Sequence, residues 1–294
     1  MSCPLCGETA SRSSWAGVTA FASERFSYRH CRGCGSLYCE PMPDALVLAE
    51  IYGPGYAELV STDHAIEDPK SPERVLGLLR GQPAGMFVDF GCGSGRLLEA
   101  VGALGWDARG VEFAAEVVAA SQARIRRPIR TFDEVAGSHA AEADVVHLGD
   151  VIEHLTRLDE QFRVALSLLR PGGLLVAQGP LENNWTLFSV AKRVAGHARP
   201  NRVRFRPPTH VIQATEKGQR GFFKRHGLEE IVFDVSEVWW PAPSTISACG
   251  HDPRLVILHL LRRTSLTVGL LGPTWWGDRY FYVGRKSEGA QGGI

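Results

Sequence analysis

The chain has 294 residues, 44% of them hydrophobic, enough to bury a full core in one large domain or two unequal ones. Lys plus Arg balances Asp plus Glu at 32 each, which excludes a global field drawing the protein to nucleic acid or an anionic membrane. Met1-Ser2-Cys3-Pro4 lacks the charged and apolar regions of a secretory signal, and the apolar run Leu255 to Leu261 stops at Arg262-Arg263, short of the ~20 residues a bilayer needs. A cytoplasmic protein is the expectation.

From the N-terminus, Cys3-Pro4-Leu5-Cys6-Gly7 and Cys31-Arg32-Gly33-Cys34-Gly35 are matching knuckles, each a C-x-x-C followed by glycine. Seven cysteines are an odd number for a disulfide framework. Four thiolates at this spacing suit a tetrahedral structural zinc site, with a redox dithiol pair as the alternative. Cys39 reads as a spare buried thiol. A closed four-sulfur site has no open coordination position, so the segment is expected to support substrate binding rather than catalysis. Pro41 to Pro43 turns the chain into a short helix, Asp44 to Tyr52, with Asp44 as its N-cap and Gly53-Pro54-Gly55 as its end. Tyr52 and Tyr56 flank that break and read as packing residues, with a role beside the ligand as the alternative. A second break, Pro69 to Pro72, precedes a helix from Glu73 to Arg80.

Met86 to Phe90 is a continuous apolar run of the kind buried in parallel sheets. It enters Gly91-Cys92-Gly93-Ser94-Gly95 and then a helix beginning at Arg96. Glycines at alternate positions let the backbone turn sharply and lie bare against a ligand at the helix N-terminus. The spacing is G-x-G-x-G, whereas the dinucleotide fingerprint is G-x-G-x-x-G. Asp107 to Glu112 reads as a second strand, closing on an acid where nucleotide folds hold a ribose. A helix from Ala114 to Arg126 leads to a third strand near Ile129 to Phe132, then Asp133. Ala143 to Leu148 is strand four, and Leu158 to Leu169 an amphipathic helix ended by Pro171-Gly172-Gly173. Leu174 to Ala177 is strand five. Strands alternating with helices imply a parallel sheet with crossover connections. Beyond it come a helix from Leu187 to Val194, a proline-broken basic loop from Arg199 to Pro208, and His210. A helix from Glu216 to His226, a strand from Glu229 to Val235, a helix from Arg254 to Arg263 and an aromatic strand from Asp278 to Arg285 complete the chain.

These residues resemble the class I S-adenosylmethionine-dependent methyltransferases. In order, Val88 to Gly95 looks like the family's first motif, Val111-Glu112 the second, Asp150 to Leu155 the fourth and Leu169 to Leu174 the fifth. With the cysteine segment ahead of this core, the chain is similar to the branch with an N-terminal zinc-binding segment, which includes sugar and natural-product methyltransferases. The resemblance implies an α/β fold: a Rossmann-like seven-stranded, mostly parallel sheet with a reversed last strand, plus a small N-terminal zinc ribbon. The expected domains are a ribbon over 1–40, a helical linker or cap over 41–85, and a methyltransferase core over 86–294 with a substrate-side insertion at 180–226. The implied cofactor is S-adenosylmethionine. Asp89, Gly91 and Gly93 would surround its amino-acid end, Glu112 its ribose and Asp133 its adenine, with Gly149 and Asp150 at the edge of the methionine pocket.

Methyl transfer from a sulfonium is an in-line displacement that needs proximity and a deprotonated acceptor. His154 is the candidate base, and a satisfied helix-start histidine is its alternative. On a helix, Asp150, Glu153 and His154 would share one face. With His210 they resemble the acid, acid, histidine and distant-histidine pattern of some metal-dependent O-methyltransferases, including the ubiquinone-pathway and small-RNA terminal types, where the first acid is usually Glu. That resemblance implies magnesium at Asp150, Glu153, His154 and His210. Arg202, Arg204 and Arg206 alternate with Val203 and Phe205, so an extended backbone would present three guanidiniums to an anionic acceptor such as a nucleotide-linked sugar. A solvated loop is the competing reading. The expected function is methyl transfer to a small-molecule acceptor. An RNA methyltransferase and a non-catalytic cofactor-binding or interaction module are the rival readings.

Overall fold

The computed structural model describes residues 2–53, 56, 71–137, 141–199, 202–238, 245–271 and 276–288. The breaks expected at Pro54-Gly55 and Pro69, and Pro200-Asn201 of the basic loop, lie outside these. No helix among the described residues is long and apolar enough to cross a membrane. In chain order the strands are Ser11–Phe21 (β1), Glu24–Cys31 (β2), Leu37–Glu40 (β3), Met86–Phe90 (β4), Asp107–Glu112 (β5) and Ile129–Thr131 (β6). They continue with Ala143–Gly149 (β7), Leu169–Pro180 (β8), Val203–Phe205 (β9), Ile212–Gln213 (β10), Leu228–Ser236 (β11) and Arg279–Lys286 (β12).

The chain divides into two compact units, one of Met1–Met42, Pro180–Phe222 and Phe233–Phe281, the other of Pro43–Gly179, Phe223–Val232 and Tyr282–Ile294. This division groups the cysteine segment with the 180–222 stretch. Backbone pairing is the reason. In the first unit a five-stranded sheet runs β10-β3-β2-β1-β9. β9 pairs parallel to β1 through Val18↔Val203 and Ala20↔Phe205, and β10 pairs antiparallel to β3. The β1–β2 hairpin closes at Phe21↔Glu24 on Ala22 and Ser23, both with positive φ, 50° and 64°. Within this unit Arg262, 2% exposed, holds Glu237 and Asp278.

The second unit carries the seven-stranded sheet, in the order β11-β12-β8-β7-β4-β5-β6. β4 lies between β5 and β7 in parallel register, and β7 pairs parallel to β8, so crossover helices must cover both faces. The C-terminal strand β12 sits between β8 and β11, where the reversed last strand was expected. β8 begins at Leu169, earlier than the glycine pair predicts. Gly172 takes φ +72, and the β7–β8 register shifts between Ala143 and Val145, so Pro171-Gly172-Gly173 is an irregularity carried inside the strand rather than a turn before it. The helix Leu158–Leu168 shows why the core forms: Leu158, Phe162, Ala165 and Leu168 recur at helical spacing, and all are buried. Truncating the fully buried Phe162 to Ala would cost about 3–5 kcal/mol.

Candidate active site

Parallel α/β sheets bind ligands beyond the carboxyl ends of their strands, and one cavity of about 650 Å³ is lined by the residue that ends β5 and by those that directly follow β4 and β7. Gly91, Glu112, Phe113, Asp133, Asp150 and His154 line it. The glycine loop is built as its spacing implies. Gly91 has φ +85, and a Cβ there would fall 2.4 Å from a Val151 methyl carbon. Gly95, at φ +75, starts the helix Arg96–Ala103 and faces Ile125 at 2.2 Å from where a Cβ would sit. Any side chain at either position would fill the space that keeps the loop against the sheet.

Glu112 is 7% exposed and holds that loop in place. Its Oε2 accepts from Gly93 N at 2.8 Å, while Oε1 accepts from Phe113 N at 2.6 Å and Ala114 N at 3.3 Å. Burial raises its pKa above the ordinary 4.5, against the pull of those three amides. A carboxylate has about four acceptor positions, so one position on Oε2 stays available for a hydroxyl. Phe113 stacks on Phe132 at 4.9 Å, and Phe90 meets both rings edge-on. Phe113 keeps 37% exposure and forms an aromatic wall beside Glu112 and Asp133. Asp133 stands in the first turn of the helix Phe132–Ala136, which Thr131 and Glu134 cap reciprocally.

Asp89 is not among the residues that line this cavity. It is 4% exposed, and its Oδ1 accepts from His147 Nδ1 at 2.7 Å. His147 Nε2 then accepts from Gln178 Nε2 at 3.2 Å, the tautomer this chain of contacts requires. Gly93 and Gly149 also fall outside the cavity lining.

Asp150, which also lines the cavity, has φ +53, a left-handed backbone that cannot belong to a helix, and only Ile152–His154 form a single 3₁₀ turn. The expected helical face of Asp150, Glu153 and His154 is therefore corrected: no continuous helix aligns the three. Asp150 reaches the cavity from the turn after β7 instead. His154 Nδ1 lies 3.1 Å from the Tyr52 hydroxyl, and its Nε2 lies 3.9 Å from Glu153 Oε1. Glu153 is 5% exposed. With the Nδ1 proton donated to Tyr52, the basic lone pair sits on Nε2 beside a carboxylate, an arrangement that stabilises the imidazolium once formed. Tyr52 is raised by burial and by neighbouring negative groups, and Tyr56 is pushed up to about 12 by burial and then by Glu112, so both phenols stay protonated. Both line the cavity and meet edge-on at 4.8 Å. Their place beside a helix break favours packing, with a role beside the ligand only as the alternative. Phe113 was also missed, although an aromatic directly after the acid that ends a strand is a usable signal.

The remaining predicted residues belong to the first unit. His210 Nδ1 pairs with Glu182 Oε2 at 3.1 Å, and its carbonyl accepts from the Tyr28 hydroxyl at 2.8 Å. Burial works to raise Glu182, but His210, Lys192 and Arg206 outweigh it and hold the carboxyl at about 2. The Sγ atoms of Cys3, Cys6, Cys31 and Cys34 lie within 4.8 Å of one another, with Cys3–Cys34 at 3.7 Å and Cys6–Cys31 at 3.5 Å. A tetrahedron of ~2.3 Å Zn–S bonds has S···S edges of about 3.8 Å, so this donor set fits a zinc ion. The Cys3 thiol hydrogen bond depresses Cys34 and raises Cys3. Gly7 and Gly35, at φ +76 and +79, supply the knuckle turns. All seven cysteines are free thiols.

Comparison with known proteins gives these features a family. A family model described as a methyltransferase domain matches residues 64–231, more than half of the chain. The ubiquinone biosynthesis O-methyltransferase of Rhodopseudomonas palustris is 30% identical over 129 residues, covering 42% of this chain and 48% of that protein. The mitochondrial ubiquinone biosynthesis O-methyltransferase of Rattus norvegicus is 31% identical over 107 residues, covering 32% of this chain and 31% of that one. The chain thus spans about half, or less, of the length of these curated relatives. Among solved structures, magnesium protoporphyrin IX methyltransferase from Synechocystis PCC 6803 with bound S-adenosylhomocysteine aligns at TM-score 0.52 and 14% identity, covering 83% of this chain and 100% of that one. Phosphoethanolamine N-methyltransferase 2 from Haemonchus contortus aligns at TM-score 0.52 and 14% identity, covering 85% of this chain and 63% of that one. At that identity they show a shared fold. By its matched core, its strand order and its glycine loop, the chain belongs to the methyltransferase domain family, and its core is that of a class I S-adenosylmethionine-dependent methyltransferase.

Proposed function

We propose that the protein transfers a methyl group from S-adenosylmethionine to an oxygen of a small-molecule acceptor, with His154 as the general base. The observation that carries this reading is that Glu112, Phe113 and Asp133 line one cavity together with His154, which contacts Tyr52. The names of the sequence relatives, ubiquinone biosynthesis O-methyltransferases, support oxygen as the methylated atom.

The residues fit the cofactor: Glu112 would take a ribose hydroxyl on Oε2, Phe113 and Asp133 the adenine, and the bare Gly91 the methionine end. Asp150 would border the methionine pocket. Asp89 would act on the loop through its position on β4. When bound, S-adenosylmethionine supplies a methyl whose C–S bond breaks with its electron pair going to sulfur as the bond to the acceptor oxygen forms. His154 Nε2 accepts the hydroxyl proton of the acceptor, and Glu153 stabilises the resulting imidazolium. A hydrogen bond from His154 Nδ1–H to the Tyr52 hydroxyl would leave Nε2 as the basic nitrogen. In the first unit, Cys3, Cys6, Cys31 and Cys34 hold a structural zinc, and His210 pairs with Glu182.

The test is transfer from methyl-labelled S-adenosylmethionine to a panel of hydroxylated small molecules. Production of S-adenosylhomocysteine that depends on the panel, with calorimetric binding of S-adenosylhomocysteine, supports the proposal. No heat on titration with S-adenosylhomocysteine would remove it.

A further inference from the structure

A helix on the surface of a folded unit normally buries its apolar side chains and shows its polar ones to water. The helix Pro253–Leu271, which lies within the first unit, does the reverse. Its buried residues are His259, Arg262 and Ser265, while none of its leucines, valines or isoleucine is buried. Arg262 is held by Glu237 and Asp278. Ser265 donates to Glu237 at 2.8 Å and accepts from Leu187 N at 3.0 Å. Rolling the helix to bury its apolar side would leave these charges in the interior without partners. Outward, Ile257, Leu260 and Leu271 are 65%, 50% and 86% exposed. At about 3.6 residues per turn they share one stripe with Thr264 and Thr267, with Arg254 on one margin and Arg263 on the other. A lone exposed aliphatic residue is ordinary, but a stripe of them along one helix marks a contact surface.

The charges around this stripe narrow what covers it. Neither this helix nor Leu187–His197, which packs against it, contains a carboxylate. The exposed side chains of Leu187–His197 are Ala191, Val194, Ala195 and His197. This second helix also shares a small cavity of about 140 Å³ with Arg199, Arg202 and Arg204; Lys192 lines it too, and no carboxylate does. The acids nearest these cations are already engaged. Asp252 accepts from Arg254 N at 2.8 Å at the start of the first helix, Glu237 and Asp278 are taken by Arg262, and Glu182 by His210. An excess of exposed cations beside an aliphatic stripe fits an anionic surface with an apolar interior. A second copy of this chain would bring the same arginines and no acid to meet them.

We infer that the first unit docks on an anionic lipid membrane, with the outward stripe of Pro253–Leu271 laid into the interface and Arg254 and Arg263 on headgroup phosphates. The cluster of Lys192, Arg199, Arg202 and Arg204 adds local attraction, which the zero net charge of the whole chain does not supply. The contact is peripheral, since this helix is not apolar enough to cross a membrane. The inference stands apart from the methyl-transfer reading, since it uses none of the residues assigned to that reaction.

Flotation of the full chain with vesicles tests it, using phosphatidylcholine alone and phosphatidylcholine with about one-third phosphatidylglycerol. The anionic vesicles are expected to bind the protein ~10-fold or more tightly than the neutral ones, with the difference lost in high salt. Ile257→Gln combined with Leu260→Gln should weaken binding to anionic vesicles by ~10-fold or more, because two apolar contacts are lost. Arg254→Glu combined with Arg263→Glu should weaken it by ~25-fold or more, about fivefold for each cation. All four positions are exposed, so both double variants should keep the parent's melting temperature and its affinity for S-adenosylhomocysteine. No binding to anionic vesicles, equal binding to the two kinds, or unchanged binding in either double variant would overturn the inference. Self-association that the Ile257 and Leu260 variant abolishes, without vesicle binding by the parent, would assign the stripe to a second copy and overturn it as well.

Discussion

Glu112→Gln separates a ligand role from a structural one at the residue on which cofactor binding is proposed to depend. The carboxylate serves Gly93 on one oxygen and Phe113 and Ala114 on the other. Glutamine keeps a single oxygen, so its NH₂ must oppose an N–H on one side, and the cheaper orientation turns it towards Gly93. That forfeits one charge-assisted bond, about 1.5–3 kcal/mol, and reduces the ribose contact to a neutral one, about 1 kcal/mol more. The sum, about 2.5–4 kcal/mol, corresponds to roughly a 60- to 700-fold loss of S-adenosylhomocysteine affinity. Stability moves much less, because the substitution also removes a charge whose burial raises the pKa of this group. Isothermal calorimetry with S-adenosylhomocysteine, beside thermal melts of the ligand-free proteins, reads both quantities. An affinity within about threefold of the parent, with the fold intact, would refute the assignment of Glu112 to the ribose. The pH dependence has a definite sign. Between 4.5 and its raised pKa the folded protein keeps a proton on Glu112 that the unfolded chain has released, so this group's contribution to stability declines as pH rises through that window. Cofactor affinity changes the other way, weakening on acidification before the pH reaches 4.5.

His154→Ala is expected to lower kcat by ~100-fold or more with S-adenosylhomocysteine affinity unchanged, and Tyr52→Phe by a smaller factor, since it removes orientation and not the base; single-turnover methyl transfer measures both. Cys31→Ser should abolish stoichiometric zinc in the purified protein, read by elemental analysis, and lower Tm by several degrees, whereas retention of full zinc would contradict a four-thiolate site. Arg262→Met leaves Glu237 and Asp278 without their shared cation, and at 2% exposure the loss should cost about 3–5 kcal/mol in denaturant unfolding. Glu182, held at about 2, adds stability that is fully present above pH 4.5 and is lost as pH falls towards 2. Glu182→Gln should flatten the acid limb of a stability–pH profile in that range, and an unaltered profile would show the Glu182–His210 pair to be energetically silent.

The parts of this molecule that were legible in the sequence are those where one residue type is the only chemical solution. Gly91 and Gly95 must adopt positive φ, four thiols at two C-x-x-C knuckles must converge, and Glu112 ends the strand that follows the glycine loop and its helix. Asp44 caps its helix as expected, accepting from Leu46 N and Val47 N at 2.9 Å each. The β1–β2 hairpin was not legible, and its turn explains why. Two-residue hairpin turns with positive φ are signalled by Asn-Gly or Asp-Gly, whereas here Ala22 and Ser23 adopt that backbone and leave no mark in the sequence. Asp150 misled for a related reason. Its spacing to Glu153 and His154 is helical, but a single left-handed residue discards the spacing argument. Tyr52 and Phe113 acquire their places from tertiary packing around the cavity, which no local period reports.

The buried contact of Asp89 with His147, extended to Gln178, has a further consequence for how the sheet is assembled. β4, β7 and β8 are apolar runs, and hydrophobic contact alone would tolerate one strand shifted along its neighbour. Asp89 lies directly opposite His147 in the ladder, and Gln178 pairs with Gly149, two residues on from His147. A one-residue displacement of β7 would send the imidazole to the other face of the sheet and strand a carboxylate in the dry interior. These three side chains therefore work as an alignment key. They admit a single register for the central strands, and with it a single relative height for the loops that leave their carboxyl ends.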